Sequence, residues 1–224
     1  MHLMEKKRFF EKRREQKKAN MDYERAILGK DRRRRIELLS SEGLLRVVFG
    51  EEKDGVKNLK KLANKTDEPQ VLNDIGVGIS SLGNHKEAAK VYERAVDGYL
   101  KKLEENPKDF DAHHEVALAL QSLASSLHAV KSKKALKKKD IDRINGLFHD
   151  SIRHYKVAFS GDKNLKKKLI LLEGMSIVMK KRGDFLSVHG SIDEAKLEWS
   201  RSKAAKETMG KILKRLDHSE PINQ

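Results

Sequence analysis

The chain has 224 residues, no cysteine, and a net formal charge of +15 from 49 Lys and Arg against 34 Asp and Glu. The cysteine count excludes disulfides and thiolate metal sites, and no apolar run approaches the ~20 residues of a membrane-spanning helix. Hydrophobic content of 38% beside 37% charged residues suits a thin, elongated array with much exposed surface better than one large core.

Residues 1–35 form a basic arm with 14 basic and 6 acidic side chains, 14 − 6 = +8. Arg13, Arg14 and the run Arg32, Arg33, Arg34 and Arg35 lie within it. Its apolar residues, among them Phe9, Phe10 and Ile27, are too sparse to define a core stripe, so the arm is predicted to be helical or disordered and to order on a partner. It lacks the apolar core of a secretory signal, and the expectation is a soluble, cytoplasmic protein. The segment Val71–Val96 then reads as two short amphipathic helices. Leu72, Ile75 and Ile79 recur at helical spacing, as do Ala88, Tyr92 and Ala95. Gly83 marks the turn between them, and Gly76 and Ala88 leave room where antiparallel helices approach.

This segment resembles a tetratricopeptide (TPR) repeat, onto which Leu72, Ile75, Gly76, Ile79, Gly83, Ala88, Tyr92 and Ala95 fall in order. A unit of this kind needs neighbours, and the sequence supplies them. Thirty-three residues earlier, Leu39, Gly43, Gly50, Gly55, Leu59 and Leu62 trace a degenerate copy in which Glu42 and Arg46 stand at apolar sites. Downstream, Ala112, Val116, Ala117 and Leu120 mark a third first-helix, with about two extra helical turns expected within Ala88–Glu105. Its partner helix, carrying Ser151, Tyr155 and Ala158, is reached across a Lys-rich insertion at 129–141. A fourth pair uses Ile170, Gly174 and Ile177, then Ala195, Trp199 and Ser202, with Gly183–Gly190 as an enlarged loop. Pro69 and Pro107 fall between pairs, where helices must stop, and no alternating strand run is found. The expected fold is all-α: a TPR-like right-handed superhelix of antiparallel pairs over 36–216, followed by a short tail, 217–224.

Two binding surfaces follow. The resemblance implies a concave groove along the first helices, lined by Ser40, Leu44 and Val47, then Asn73, Val77 and Ser80, then His114, Leu118 and Gln121. The subgroup of the family that clamps a terminal carboxylate is not matched: Asp74, Asp111 and Glu115 stand at the corresponding positions. The second surface is basic. Lys131, Lys133, Lys134, Lys137, Lys138 and Lys139 contain no acid among them, and with the arginines of the arm they suit a polyanion, since each phosphate neutralised releases condensed counterions. RNA within a ribonucleoprotein such as the ribosome fits better than a DNA site, because no recognition-helix or zinc-finger signature is present.

No catalytic constellation emerges. Gly76–Gly78 has neither a preceding strand nor a following GK[ST], and the histidine sets His113–His114 and His149–His154 are poorly spaced to share a metal, so no metal or cofactor is expected. His113 and Trp199 read as packing residues. The expected function is a non-enzymatic adaptor: the groove takes a partner protein and the basic segments dock on an anionic assembly. The alternative makes RNA binding by the arm and Lys-rich loop the main activity. Homodimer formation, through the exposed apolar end of the array or through Leu213 and Leu216 near the C-terminus, is a further expectation.

Overall fold

Apolar residues at helical spacing, interrupted by Pro and Asx caps, give a chain of helices. A computed structural model describes residues 18, 21–22, 24–40, 52–131 and 136–217, and among the described residues there is no strand. The helices are α1 (Arg32–Ser40), α2 (Glu52–Ala63), α3 (Pro69–Ser81), α4 (His85–Glu105), α5 (Phe110–Lys131), α6 (Lys138–Gly161), α7 (Leu165–His189) and α8 (Ile192–Asp217). Residues 1–95 and 96–224 are separate compact units, the division falling inside α4.

In the first unit α3 starts at Pro69, whose missing N–H is harmless in a first helical turn. It closes at Gly83, whose φ of +80° is a conformation that favours glycine. Asn84 Oδ1 then accepts from the Glu87 N–H to cap α4. α3 packs against α1 and α2. Gly78 faces Leu39 and Leu59, while Gly76 faces the ring of Tyr92 on α4. Leu39, Leu59, Leu62, Leu72, Ile75, Ile79, Ala88, Tyr92 and Ala95 are all buried, so the degenerate first copy contributes its large residues as expected. Gly43, Gly50, Glu42 and Arg46 lie outside the described residues. Within the segment read as a basic arm, residues 24–28 are helical and Ile27, counted there among apolar residues too sparse for a core stripe, is fully buried.

In the second unit α5, α6, α7 and α8 pack each on the next, and α5 also touches α7. The core runs through Phe148, Ile152, Tyr155, Leu171, Met175, Val178 and Phe185, each large side chain contributing about 2 kcal/mol by leaving water. Asn164 accepts from the Lys166 and Lys167 N–H groups to begin α7, and Asp109 does the same for Ala112 at the start of α5. The extra length predicted for Ala88–Glu105 is present as the 21-residue α4. The helices enter the expected insertion at 129–141 from both sides: α5 runs to Lys131 and α6 begins at Lys138.

The fourth pair is organised differently from its sequence reading. α7 is continuous through Gly183 and ends at His189, so no enlarged loop exists there, and Ile170 and Ile177 are 55% and 43% exposed. The small residue at the crossing is Gly183, where an added Cβ would lie 2.6 Å from Trp199; at Gly76 it would lie 2.6 Å from Tyr92. Gly76, Gly83, Ala88, Tyr92 and Ala95 thus recur as Gly183, Gly190, Ala195, Trp199 and Ser202, an identical offset (183 − 76 = 107). Gly76→Val is expected to cost about 2 kcal/mol of stability, because Tyr92 is buried and cannot retreat. A denaturant midpoint shift compatible with less than about 0.5 kcal/mol would show that the hairpin is not close-packed at this point.

Candidate partner-binding groove

α5 and α7 lie side by side in constant register. Lys167 on α7 bonds Asp111 on α5, and Lys181 Nζ donates to Ser125 Oγ at 3.2 Å; both pairs are separated by 56 residues. His128 stacks edge-on against Phe185, with ring centroids 5.1 Å apart, closing the seam at its far end. A shared offset of 56 at residues 111 and 125 places two parallel helices alongside one another, bridged by these side chains over about 21 Å. The residues one turn or two turns from these anchors border the seam: His114, Leu118 and Gln121 on α5, and Ile170 and Ile177 on α7.

His114, Leu118 and Gln121, expected on the first helix of the third pair, lie on α5 at spacings close to whole turns. Leu118 is partly buried against the core, and His114 packs on Tyr155 with centroids 5.8 Å apart. Gln121 Oε1 is buried without a hydrogen-bond partner. In the first unit Val77 is 36% exposed, Asn73 is buried with Oδ1 unpartnered, and Ser80 Oγ lies 3.1 Å from His85 Nδ1. Ser40 ends α1, and Leu44 and Val47 lie outside the described residues.

Charge within the α5–α7 face is unevenly compensated. Lys167 is paired with Asp111 and Asp162, and its hydrogen bond to Asp111 chiefly raises its pKa. Lys180 is paired with Asp184 at 2.7 Å. Among the described residues Lys181 bonds the neutral Ser125 hydroxyl and no acid, and partial burial holds its ammonium below the ordinary lysine pKa. Its residue is nevertheless exposed to solvent.

The basic segments divide into different environments. Arg33 and Arg34 are exposed, and so are Lys137, Lys138 and Lys139. Arg35 is 2% exposed and its Nε donates to Asp74 Oδ2 at 2.8 Å, while Nη1 donates to the Gly29 and Ile27 carbonyls. Arg32 is half-buried, with Nε 3.8 Å from the same carboxylate. Arg13, Arg14, Lys133 and Lys134 lie outside the described residues, and Lys131 ends α5. Of the later lysines, Lys168 sits 4.7 Å over the Phe159 ring. An open depression of about 470 Å³ between α2 and the α4 start is bordered by Lys57, Lys60, Lys61 and Glu87.

The histidines pair across helices rather than along them. His113 Nδ1 and His154 Nδ1 are 2.8 Å apart, and His113 Nε2 lies 3.1 Å from the Pro107 carbonyl. Among the described residues no three His, Cys, Asp or Glu side chains converge on a metal position. No helix among them is long and apolar enough to cross a membrane.

Sequence alone does not assign Ile170, Ile177 and Lys181 to the groove. The signal for the aliphatics is the run Leu169–Leu172, which is apolar on more faces than a helix covered on one side can bury.

These features define an all-α protein built of antiparallel helix pairs. No protein-family model matches the chain, and no curated protein does. Among solved structures, a de novo designed helical repeat protein, DHR64, is 15% identical with a TM-score of 0.41, over 92% of this chain and 97% of its own. The DHF58 filament is 13% identical with a TM-score of 0.44, over 89% and 99%. BtubC from P. vanneervenii is 13% identical with a TM-score of 0.35, over 93% and 95%.

Proposed function

We propose that this chain is a divergent TPR-like adaptor whose α5–α7 groove holds a segment of a partner protein. The observation that carries the reading is the pair Ile170 and Ile177, branched aliphatic side chains 55% and 43% exposed in the middle of a helix whose Leu171, Leu172, Met175, Val178 and Met179 are buried. Single exposed aliphatics are ordinary; two on one line, beside Leu118, make a surface that gains from being covered. The two hairpins with matching Gly–aromatic crossings support the TPR-like assignment. The exposed Arg33 and Arg34 of the first unit, and separately Lys137, Lys138 and Lys139 of the second, supply polyanion-facing charge that holds the adaptor on its assembly.

The test is capture of partners by tagged protein, with and without nuclease, using two variants that act on exposed positions. Ile177→Asp is expected to remove nuclease-resistant partners while leaving nuclease-sensitive ones. Replacing Lys137, Lys138 and Lys139 with Gln is expected to weaken RNA-dependent association and reduce its salt sensitivity by about one log–log unit for each phosphate no longer neutralised. Loss of every partner with nuclease alone, and indifference to Ile177→Asp, would make RNA the main ligand and overturn the groove reading.

A further inference from the structure

The groove reading says only that a protein segment binds; the spacing and charge of α7 say more about that segment. Lys181, Ile177 and Ile170 lie four and seven residues apart in succession (181 − 177 = 4, 177 − 170 = 7). They share one side of α7, because those separations are close to whole helical turns. Along the axis they are spaced by about 6 Å and then about 10 Å. A second helix laid along the seam repeats these intervals with side chains four and seven residues apart. An extended strand does not: its same-face residues fall every ~6.6 Å, so the 10 Å interval meets a side chain pointing away.

The charges select further. Lys167 and Lys180 already hold acids of this chain, whereas Lys181 is anchored by a hydroxyl and has no acidic partner among the described residues. Covering this face with an apolar segment would strip water from an uncompensated ammonium, and a carboxylate placed there removes that penalty.

We infer, building on the groove reading, that the occupant is an amphipathic helix of a partner protein. It places one Asp or Glu on Lys181 and aliphatic side chains on Ile177 and Ile170. Recognition is of an internal acidic side chain flanked by aliphatics at helical spacing.

The test uses a fluorescent, acetylated and amidated alanine-based helical peptide of about 18 residues, long enough to be helical in water. It carries Glu at one position and Leu four and eleven residues away, matching Lys181, Ile177 and Ile170. Anisotropy titration of the full chain at moderate salt is expected to show saturable binding. Binding should weaken about tenfold, the scale of one charge-assisted hydrogen bond, when the peptide Glu becomes Gln or when Lys181 becomes Met. Combining the two changes should add no further loss, and Lys181→Glu should prefer the peptide carrying Lys in place of Glu. Circular dichroism verifies that Lys181→Met and Ile177→Asp, both at exposed positions, remain folded. Binding that is lost with Ile177→Asp but indifferent to the Glu and Lys181 changes would overturn this inference and leave the groove reading standing. No saturable binding, or displacement of the peptide by a short RNA, would overturn the inference outright. The groove reading itself is decided separately, by the partner capture with Ile177→Asp.

Discussion

Replacing Arg35 with alanine is expected to remove about 3–5 kcal/mol from the stability of the first unit, the range for breaking one side of a buried ion pair. Both partners are inside: the side chains of Arg35 and Asp74 are 2% and 5% exposed, with Nε 2.8 Å from Oδ2. The guanidinium also donates to the Gly29 carbonyl at 2.7 Å and the Ile27 carbonyl at 3.4 Å. One side chain therefore ties the segment before α1 to the middle of α3. Its loss leaves the Asp74 carboxylate buried, with the Arg32 Nε farther off at 3.8 Å. Arg35→Lys is expected to fall between, since an ammonium keeps the charge but cannot reproduce the planar fork. The double change Arg35→Met with Asp74→Leu is expected to recover most of the loss, because neither buried charge then remains. The one tryptophan, Trp199, belongs to the second unit, so its fluorescence does not report this transition, and circular dichroism in urea is the measurement. A loss below about 1 kcal/mol for Arg35→Ala would show that the pair is solvated. Arginine-to-glutamine scans of this run should spare Arg35, whose replacement lowers any binding through unfolding.

The Arg35 result also illustrates where sequence reading reaches its limit. Four consecutive arginines occupy four directions around a helix, about 100° apart, so they cannot all meet one polyanion. Which of them turns inward depends on an acid 39 residues away, and no local pattern encodes that partner. The second repeat is legible because its signals are local: Pro69 at the start, Gly83 at the turn, Gly76 opposite Tyr92. The fourth is legible only in part. Its aromatic half, Ala195, Trp199 and Ser202, lies on one helix as the sequence predicts, but α7 is apolar nearly all round, so periodicity alone does not fix which stripe is core. Gly183 resembles a loop residue because glycine disfavours helices. In the structure it is helical, and glycine is needed there because an added Cβ would lie 2.6 Å from Trp199. The proposed groove is half-visible for a related reason. Its α5 side follows from positions that the TPR resemblance implies, while its α7 side needs the 56-residue register that only the fold reveals.

Lowering the pH from about 6.5 to about 5 is expected to cost the second unit about 2 kcal/mol through His154 alone, at 1.36 kcal/mol for each pH unit over which only the unfolded state holds the proton. Burial, with smaller contributions from the neighbouring His113 and Arg153, lowers the His154 pKa from 6.5 to about 4, against a weaker opposing pull from Asp150. Burial is the chief resistance to a proton on His154, and the bonding pattern limits the pair to one added proton. A carbonyl can only accept, so the bond to Pro107 places N–H on His113 Nε2, leaving Nδ1 of a neutral His113 as an acceptor for His154 Nδ1–H. Protonating both rings would set two N–H groups against each other at 2.8 Å. The sign follows: with the folded pKa below the unfolded one, stability is full above about 6.5, declines as pH falls toward about 4, and changes no further below that from this group. His128, also lowered by burial and then by His189, acts in the same direction. His154→Asn keeps a polar group near His113 but cannot titrate, and it is expected to remove most of one proton from the pH dependence of urea unfolding between pH 7 and about 5, above the range where carboxylates dominate. Trp199 fluorescence reports this unit directly. An unchanged slope in His154→Asn would show that the imidazole pair is open in solution and that the α5–α6 packing does not depend on a neutral His154.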